Sequence, residues 1–317
     1  MALFLTENDV KQVLTATMAL EAVESAHRDL ALGLAQDTPR ARTRLPQTVL
    51  HILQGALPAQ GVLGYKAYTS NRSGNRFLVH LFDAATGELL AVIEADYMGM
   101  IRTGAASGVA AKWLARPDAK VAGVFGAGWQ AEGHVRALCA ALPLERVKVC
   151  SRKADKLAAF CARMSEAIGV AVVPASAEEA VRDSDLVGTV TTAAQPLFEA
   201  EWLTPGAHIN AAGSNALIRR ELSEATLKQA ALIAVDAVPT ALAEAGDLLP
   251  LLEKGQHHAR QLVELGDIIV GKHKGRVSAD QITIFESQGM AIQDLAVALR
   301  VLKAARAAGL GIELPLK

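Results

Sequence analysis

A glycine turn set between a strand and a helix constrains this chain more than any other feature. Residues 120–125 read Lys-Val-Ala-Gly-Val-Phe, an apolar run of strand character. Gly126, Ala127, Gly128, Trp129, Gln130 and Ala131 follow directly, and a helix-forming stretch comes next. Gly126 permits the tight turn, Gly128 lets a pyrophosphate approach the backbone, and Ala131 stays small where the helix packs on the strand. Phosphates would meet free N–H groups at the helix start, where the macrodipole favours anions. A bare GxGxxA arises often by chance. Here a second strand, Arg-Val-Lys-Val-Cys at 146–150, completes a βαβ unit at the right distance. The expectation is a dinucleotide site in an open parallel sheet.

The residues after that second strand bear on which dinucleotide. Chains that prefer NAD place Asp or Glu there for the ribose 2′-hydroxyl. This chain has Ser151, Arg152 and Lys153, with Lys156 one turn on. A hydroxyl, a guanidinium and two ammonium groups attract a 2′-phosphate, whereas a carboxylate repels it. A solvated basic loop would look similar, but cations at a helix start oppose the dipole. NADPH is expected, with NADH possible.

Length and composition narrow the class. With 317 residues, 51% hydrophobic and 21% charged, the chain has enough apolar material for two cores and little for disorder. The net charge of −1 gives no reason to expect nucleic acid or a membrane surface. The N-terminal residues lack the basic and small-residue pattern of a signal peptide, and no apolar run is long enough to span a bilayer. Cys139, Cys150 and Cys161 fit no zinc spacing and, being odd in number, no full disulfide framework. A cytoplasmic protein is expected.

Periodicity gives the organisation. Thr6 to Asp9 resembles a capping box opening a short helix. A longer helix over about 17–33 carries Leu20, Val23, His27, Leu30 and Leu34 on one face. From Pro39 the period becomes two, and strands are expected at 40–44, 49–53, 62–68, 77–82 and 88–93, the last pair joined by a turn at 83–87. Asp96 is expected to cap a helix that reaches Arg116, where Pro117 stops it. From 119 onward strands alternate with helices, at about 121–125, 146–150, 170–173, 186–190, 207–212, 231–235 and 280–287. That alternation implies an α/β doubly wound Rossmann sheet over 117–289. An amphipathic helix over 289–308 is expected to return to the N-terminal part. The first domain would then be discontinuous, 1–116 with 290–317, an α+β domain around an antiparallel sheet. The stretches 254–258, with its paired histidines, and 271–276 read as polar connections, and no metal is expected.

At this point the chain resembles the ornithine cyclodeaminase/mu-crystallin family. Besides the glycine turn, the supporting segments are Gly64-Tyr-Lys66, Ile101-Arg-Thr-Gly-Ala105, His208-Ile-Asn-Ala-Ala-Gly213, Ala243-Glu-Ala-Gly-Asp247, Glu264-Leu-Gly-Asp267 and Gly289-Met-Ala-Ile-Gln-Asp-Leu295. The resemblance implies that the first domain binds substrate and dimerises, with antiparallel sheets of two subunits packed together. It also implies chemistry at a carbon bearing both nitrogen and carboxylate: cyclodeamination, alanine dehydrogenation, or reduction of ketimines and cyclic imines.

Reducing an α-imino acid needs a cation for the carboxylate, a hydride donor over Cα, and a hydrogen-bonding cation at nitrogen. Arg102 matches the family's carboxylate ligand, and an arginine beside small residues is an odd solvated face. Lys66, flanked by Tyr65 and Tyr68 on a strand, is costly unless paired and matches the family's proton donor. Arg40, Arg42 and Arg44 alternate along one strand face, as charges blunting an edge strand also would. The family has a carboxylate-binding arginine on this strand; Arg40 is the closest match and Arg44 remains open. His51 either shares proton transfer or lines the pocket. Asn215 stands where cyclodeaminases resembling this chain carry aspartate, and an amide cannot take up a proton. Thr103 is expected to help with the coenzyme phosphates, and Thr191 and Thr192 end a strand at the ligand edge. Asp247, Asp267 and Asp294 look like caps or packing partners.

The expected function is NAD(P)H-dependent reduction of an imino acid or cyclic ketimine carboxylate, such as Δ1-pyrroline-2-carboxylate, or the reverse dehydrogenation, by a homodimer. The enzymatic alternative is an ornithine or lysine cyclodeaminase. The non-catalytic alternative is a crystallin-like binder of NADPH and a small ligand.

Overall fold

In the computed structural model, which describes residues 1–213 and 215–315, the chain forms two compact units. One holds Met1–Arg102 and the C-terminal segment from Gly289; the other is Thr103–Gln288. Helix propensity ends at Pro117, but the two units divide within the preceding helix, between Arg102 and Thr103.

The first unit opens with β1 (Leu3–Leu5), α1 (Glu7–Val13) and α2 (Ala16–Ala31). A meander follows: β2 (Gln36–Arg44), β3 (Thr48–Leu57), β4 (Val62–Asn71), β5 (Gly74–Asp83) and β6 (Leu89–Glu94). The expected capping box is present at Thr6 and Asp9. The 83–87 turn forms as expected, with Asp83 accepting from the N–H groups of Ala85 and Thr86. α3 (Asp96–Leu114) carries the chain onward. At its start the N–H groups of Asp96 and Tyr97 donate to the Glu7 carboxylate, at 2.6 and 3.0 Å.

The second unit alternates as expected. Its elements are β7 (Val121–Phe125), α4 (Trp129–Ala141), β8 (Arg146–Cys150), α5 (Ala154–Ile168), β9 (Ala171–Pro174) and α6 (Ala177–Val181). Then come β10 (Leu186–Thr189), β11 (His208–Ala211), α7 (Glu224–Gln229), β12 (Ala230–Val235), α8 (Val238–Glu244) and α9 (Leu249–Glu253). It ends with β13 (Val263–Glu264), α10 (Leu265–Ile269) and β14 (Ile282–Glu286). The chain returns to the first unit as α11 (Ala291–Ala307) and β15 (Ile312–Glu313).

The Rossmann sheet has eight strands in the order β13-β12-β14-β11-β10-β7-β8-β9, and every pairing is parallel. The strand order reverses between β7 and β10, so the glycine turn after β7 lies at the topological switch point. Helices cover both faces. Leu138, Phe160 and Met164 pack on one side, and Val181, Leu227 and Leu251 on the other.

The first unit's sheet has seven strands, β15-β1-β6-β5-β4-β3-β2. It is mixed rather than purely antiparallel, because β1 pairs in parallel with β6. β1 and β15 are too short to show a period. α11 is amphipathic only in its C-terminal half, where Arg300, Lys303 and Arg306 are exposed opposite buried Val301, Leu302 and Ala305; Ala291 through Leu299 are all buried. It is the core helix of its unit and lies directly on the strands. A Cβ on Gly55 would meet Ile292 at 3.1 Å and Ala291 at 3.3 Å, and one on Gly64 would meet Leu295 at 3.0 Å. No helix among the described residues is long and apolar enough to cross a membrane.

Gly64 is therefore a packing requirement. Gly64→Ala also places its Cβ 2.1 Å from the His80 carbonyl oxygen. Overpacking of this kind costs about 1–3 kcal/mol. Urea denaturation should show a lower midpoint with an unchanged slope; a midpoint equal to wild type would contradict this contact.

Candidate active site

Strand register decides what meets α11. Leu53, Lys66, Val79 and Ile93 are cross-strand neighbours on β3, β4, β5 and β6, and all four are buried. Gly64 precedes Lys66 on the same face. The missing side chain at 64 lets the helix in, and Lys66 then reaches its first turn. The Lys66 Nζ lies 2.6 Å from Asp294 Oδ2, and Arg102 Nε lies 2.8 Å from Asp294 Oδ1. Lys66 and Arg102 are 3% and 7% exposed and Asp294 is fully buried, so this is an interior ion triad. Its formal charge is +1 with both cations protonated.

Further bonds fix the triad. Arg102 Nη1 donates to Gln293 Oε1 at 3.1 Å, which also accepts from the Met290 N–H at 3.2 Å. The Gln293 amide nitrogen donates to His27 Nε2 at 3.0 Å, so His27 is a buried partner of this network. The Ile292 N–H at the start of α11 donates to Asp37 of β2 at 3.1 Å. Gly289, with φ of +81°, has space only for hydrogen, because a Cβ would stand 2.7 Å from Arg102 Nη1.

Burial pulls the Lys66 ammonium down to about 7, helped by the Arg102 charge and opposed by Asp294; Arg40 adds a smaller push downward. Arg40 is therefore the strand arginine whose field reaches Lys66. It sits at a register shift of the β2–β3 pairing and is half-buried, whereas Arg42 pairs with His51 across the ladder and Arg44 is exposed. His51 does not carry a charge near neutrality. Burial, then Arg42, Arg40 and Arg44, lower it to about 4. Its ring stacks on Tyr68 with centroids 4.2 Å apart, and its Nε2 lies 3.0 Å from Ser70 Oγ. A neutral, stacked histidine is a poor proton donor but can line a pocket.

The largest difference from expectation is Asp294. It is neither a cap nor a simple packing partner but the shared anion of two buried cations. A carboxylate in the run Ala-Ile-Gln-Asp-Leu-Ala-Val-Ala-Leu, 291–299, was the available signal, since a charge in an otherwise apolar helix needs partners.

The second unit carries the residues expected at a coenzyme. Gly126 has φ of +120°, and a Cβ there would meet the Val190 carbonyl oxygen at 3.1 Å. A Cβ on Gly128 would meet nothing within 4 Å, so its backbone is open to approach. Gly128 is the N-cap of α4 and supplies no side chain to its first turn. Trp129 and Gln130 are exposed, Ala127 is partly buried, and Ala131 is buried against the sheet. These residues fit a dinucleotide pyrophosphate. A Cβ on Gly104 would stand 2.2 Å from the Gly133 carbonyl oxygen, so α3 runs hard against α4 just past Thr103. Ser151 is half-buried, and Arg152, Lys153 and Lys156 are exposed between β8 and the first turn of α5. The Thr191 hydroxyl donates to Glu221 Oε1 at 2.6 Å, while Thr192 is exposed beside it. Asn215 is exposed in the segment after β11.

Comparison with known proteins identifies the family. The chain is 38% identical over 283 residues to a Δ1-pyrroline-2-carboxylate reductase of Bacillus cereus, covering 85% of this chain and 87% of that one. Among solved structures it resembles the Thermococcus litoralis Δ1-pyrroline-2-carboxylate reductase in complex with NADH and L-proline. The TM-score is 0.94 at 30% identity, covering 98% of this chain and all of that one (100%). An archaeal alanine dehydrogenase dimer with bound NAD matches at a TM-score of 0.93 and 33% identity, over 100% and 99% of the two chains. The profile of the ornithine cyclodeaminase/mu-crystallin family matches residues 1–309, and the chain belongs to that family.

Proposed function

We propose that this chain is an NAD(P)H-dependent reductase of an imino acid or cyclic ketimine carboxylate, such as Δ1-pyrroline-2-carboxylate, able to run in reverse as an amino-acid dehydrogenase. The observation that carries this reading is the buried triad of Lys66, Asp294 and Arg102. Its surplus positive charge calls for an anion, and a substrate carboxylate supplies one. Relatives that reduce Δ1-pyrroline-2-carboxylate or bind NADH and L-proline support it.

Conversion of C=N to CH–NH takes a hydride at carbon and a proton at nitrogen. When bound, the reduced nicotinamide supplies the hydride. Arg102 holds the carboxylate with the guanidinium arm not aimed at Asp294, and Arg40 provides a second grip. Lys66 donates an Nζ proton to the imine nitrogen and is left neutral, which its lowered proton affinity favours. Asp294 keeps both cations in place throughout. Asn215 orients the amine by hydrogen bonds without taking a proton, so ornithine cyclisation is the less apt use of this site. His51 lines the pocket as a neutral ring.

Gly126, Ala127, Gly128, Trp129, Gln130 and Ala131 hold the pyrophosphate, with Thr103 and Thr192 contributing nearby. Ser151, Arg152, Lys153 and Lys156 take the 2′-phosphate, which favours NADPH. A second copy of the chain covers the other face of the first unit's sheet. There Leu50, Leu63 and Leu78 stand exposed on adjacent strands, and the archaeal relative is a dimer. A reducing, cytoplasmic setting suits the three free cysteines.

The direct test is loss of NADPH absorbance with Δ1-pyrroline-2-carboxylate. Ammonia release from ornithine without net consumption of reductant would overturn the proposal. Lys66→Ala should lower kcat about 100-fold or more with coenzyme affinity nearly unchanged; equal losses of both would contradict the proton-donor role.

The pH dependence follows with a definite sign. Reduction needs protonated Lys66, so kcat/KM should fall as pH rises through about 7. Oxidation of the amino acid needs the neutral amine, so its kcat/KM should rise through the same range. In Lys66→Arg both limbs should vanish, and their persistence would assign the titration elsewhere. Coenzyme choice is tested by Arg152→Ser. Loss of a charge-assisted bond worth about 1.5–3 kcal/mol should cut the NADPH-to-NADH preference roughly tenfold or more; an unchanged ratio would refute the 2′-phosphate role.

A further inference from the structure

Glu221 is a fully buried carboxyl that the mechanism above does not use. It lies between the turns that leave two adjacent strands of the Rossmann sheet. Its Oε1 accepts from the Thr191 N–H at 2.7 Å and from the Thr191 hydroxyl at 2.6 Å, just past β10. Its Oε2 accepts from the Gly213 N–H at 3.0 Å, just past β11. The fit is tight: a Cβ on Gly213 would stand 2.4 Å from Glu221 Oε2 and 2.5 Å from the Thr191 backbone. Gly213 is therefore needed for close approach.

The carboxyl is itself anchored. The N–H groups of Glu221 and Leu222 both donate to Asp247 Oδ1 at 2.7 Å. The Glu221 carbonyl accepts from the Leu197 N–H at 2.9 Å. Gly246, beside Asp247, presses on the same loop, and a Cβ there would stand 2.0 Å from the Arg219 carbonyl oxygen. Asp247 also faces Glu286, the last residue of β14, whose carboxyl is pushed well up by burial and then by the Asp247 charge. Burial pushes the Glu221 carboxyl up, and the Thr191 donors pull it back.

The turn held this way touches the glycine turn. Val190, directly before Thr191, puts its carbonyl oxygen 3.1 Å from where a Gly126 Cβ would be. In open parallel sheets this carboxyl edge is where a dinucleotide lies. We propose that Glu221 is a positioning residue for the coenzyme, whose carboxylate fixes the turns at Thr191 and Gly213 as a preformed wall beside the glycine turn. The proposal rests on the reading that the chain binds NAD(P)H. It also explains why a chain would bury an acid there. Three donors converge on two oxygens, and a neutral amide has only one acceptor oxygen to meet them.

Glu221→Gln tests this, with NADPH affinity read by coenzyme fluorescence without imino acid, kcat at saturating NADPH, and the thermal midpoint. The amide must turn its NH2 toward Thr191 or Gly213, leaving a donor unmet. The expected result is folded protein with NADPH binding about tenfold weaker, or about 1.4 kcal/mol, and kcat nearly unchanged. Glu221→Asp, which keeps the charge, should recover part of the affinity. Unchanged affinity in a folded Gln variant would overturn the proposal, since a purely structural acid would lower only the midpoint. Hydrogen exchange on the wild type needs no variant: the Thr191 and Gly213 amides should be protected without coenzyme, and rapid exchange there would also overturn it. Wild type that binds neither NADPH nor NADH would sink the coenzyme reading itself, whereas normal wild-type binding beside an unaffected variant sinks only the role of Glu221.

Discussion

A single carboxylate shared by two buried cations holds the first unit's site together. Moving charges out of water is costly, and breaking such a pair by removing one partner costs about 3–5 kcal/mol. Asp294 is therefore not exchangeable for an apolar residue while Lys66 and Arg102 remain. The geometry that makes the triad possible is made elsewhere. Gly55 and Gly64 let α11 lie on the strands, Asp37 fixes its first turn, and Gly289 leaves room for the Arg102 guanidinium. Residues from both ends of the sequence must meet before the lysine has a partner. The discontinuity of the first unit is thus tied directly to its chemistry.

Much of this was legible from residue order. The glycine turn, the βαβ unit and the alternation after 119 carry strong local signals, because one strand and one helix suffice to place them. Lys66 was legible as well: an ammonium on an apolar strand must find an anion. What could not be read was which anion. Asp294 lies 228 positions away in number, on the fully buried N-terminal half of a helix that resembles any apolar run. Nor could local propensity reveal that Glu7 caps α3, since the bond crosses 89 residues. β1, β13 and β15 span two or three residues each and show no period. Each is a strand because a neighbour supplies its partner.

Glu221 and Asp247 show another limit of local reading. Asp247 looks like a helix cap from sequence, and it does accept two backbone N–H groups, but those belong to residues 221 and 222. The glycines at 213 and 246 look like ordinary loop glycines. Neither has a left-handed φ, so both are small because backbone presses on them. A motif glycine can thus mark close approach as well as a turn, and only coordinates separate the two.

The electrostatics follow from placement rather than total charge. A chain with net charge −1 has no general attraction for anions, yet each unit concentrates cations locally. Burial first, and then Arg42, Arg40 and Arg44, suppress protonation of His51, so the three arginine fields overlap in the N-terminal half of β3. Such a cluster attracts a small carboxylate over about a Debye length, about 8 Å at physiological salt. On the proposed reading the buried triad then discriminates at contact, where screening is weak. The strand arginines, half-buried at 40 and 42 and exposed at 44, would affect how fast an anion arrives, and Lys66, Asp294 and Arg102 what happens once it is bound. Added salt should therefore weaken capture through these arginines, most of all Arg44, while leaving the proton affinity of Lys66, set first by burial and then by the buried Arg102 and Asp294, little changed.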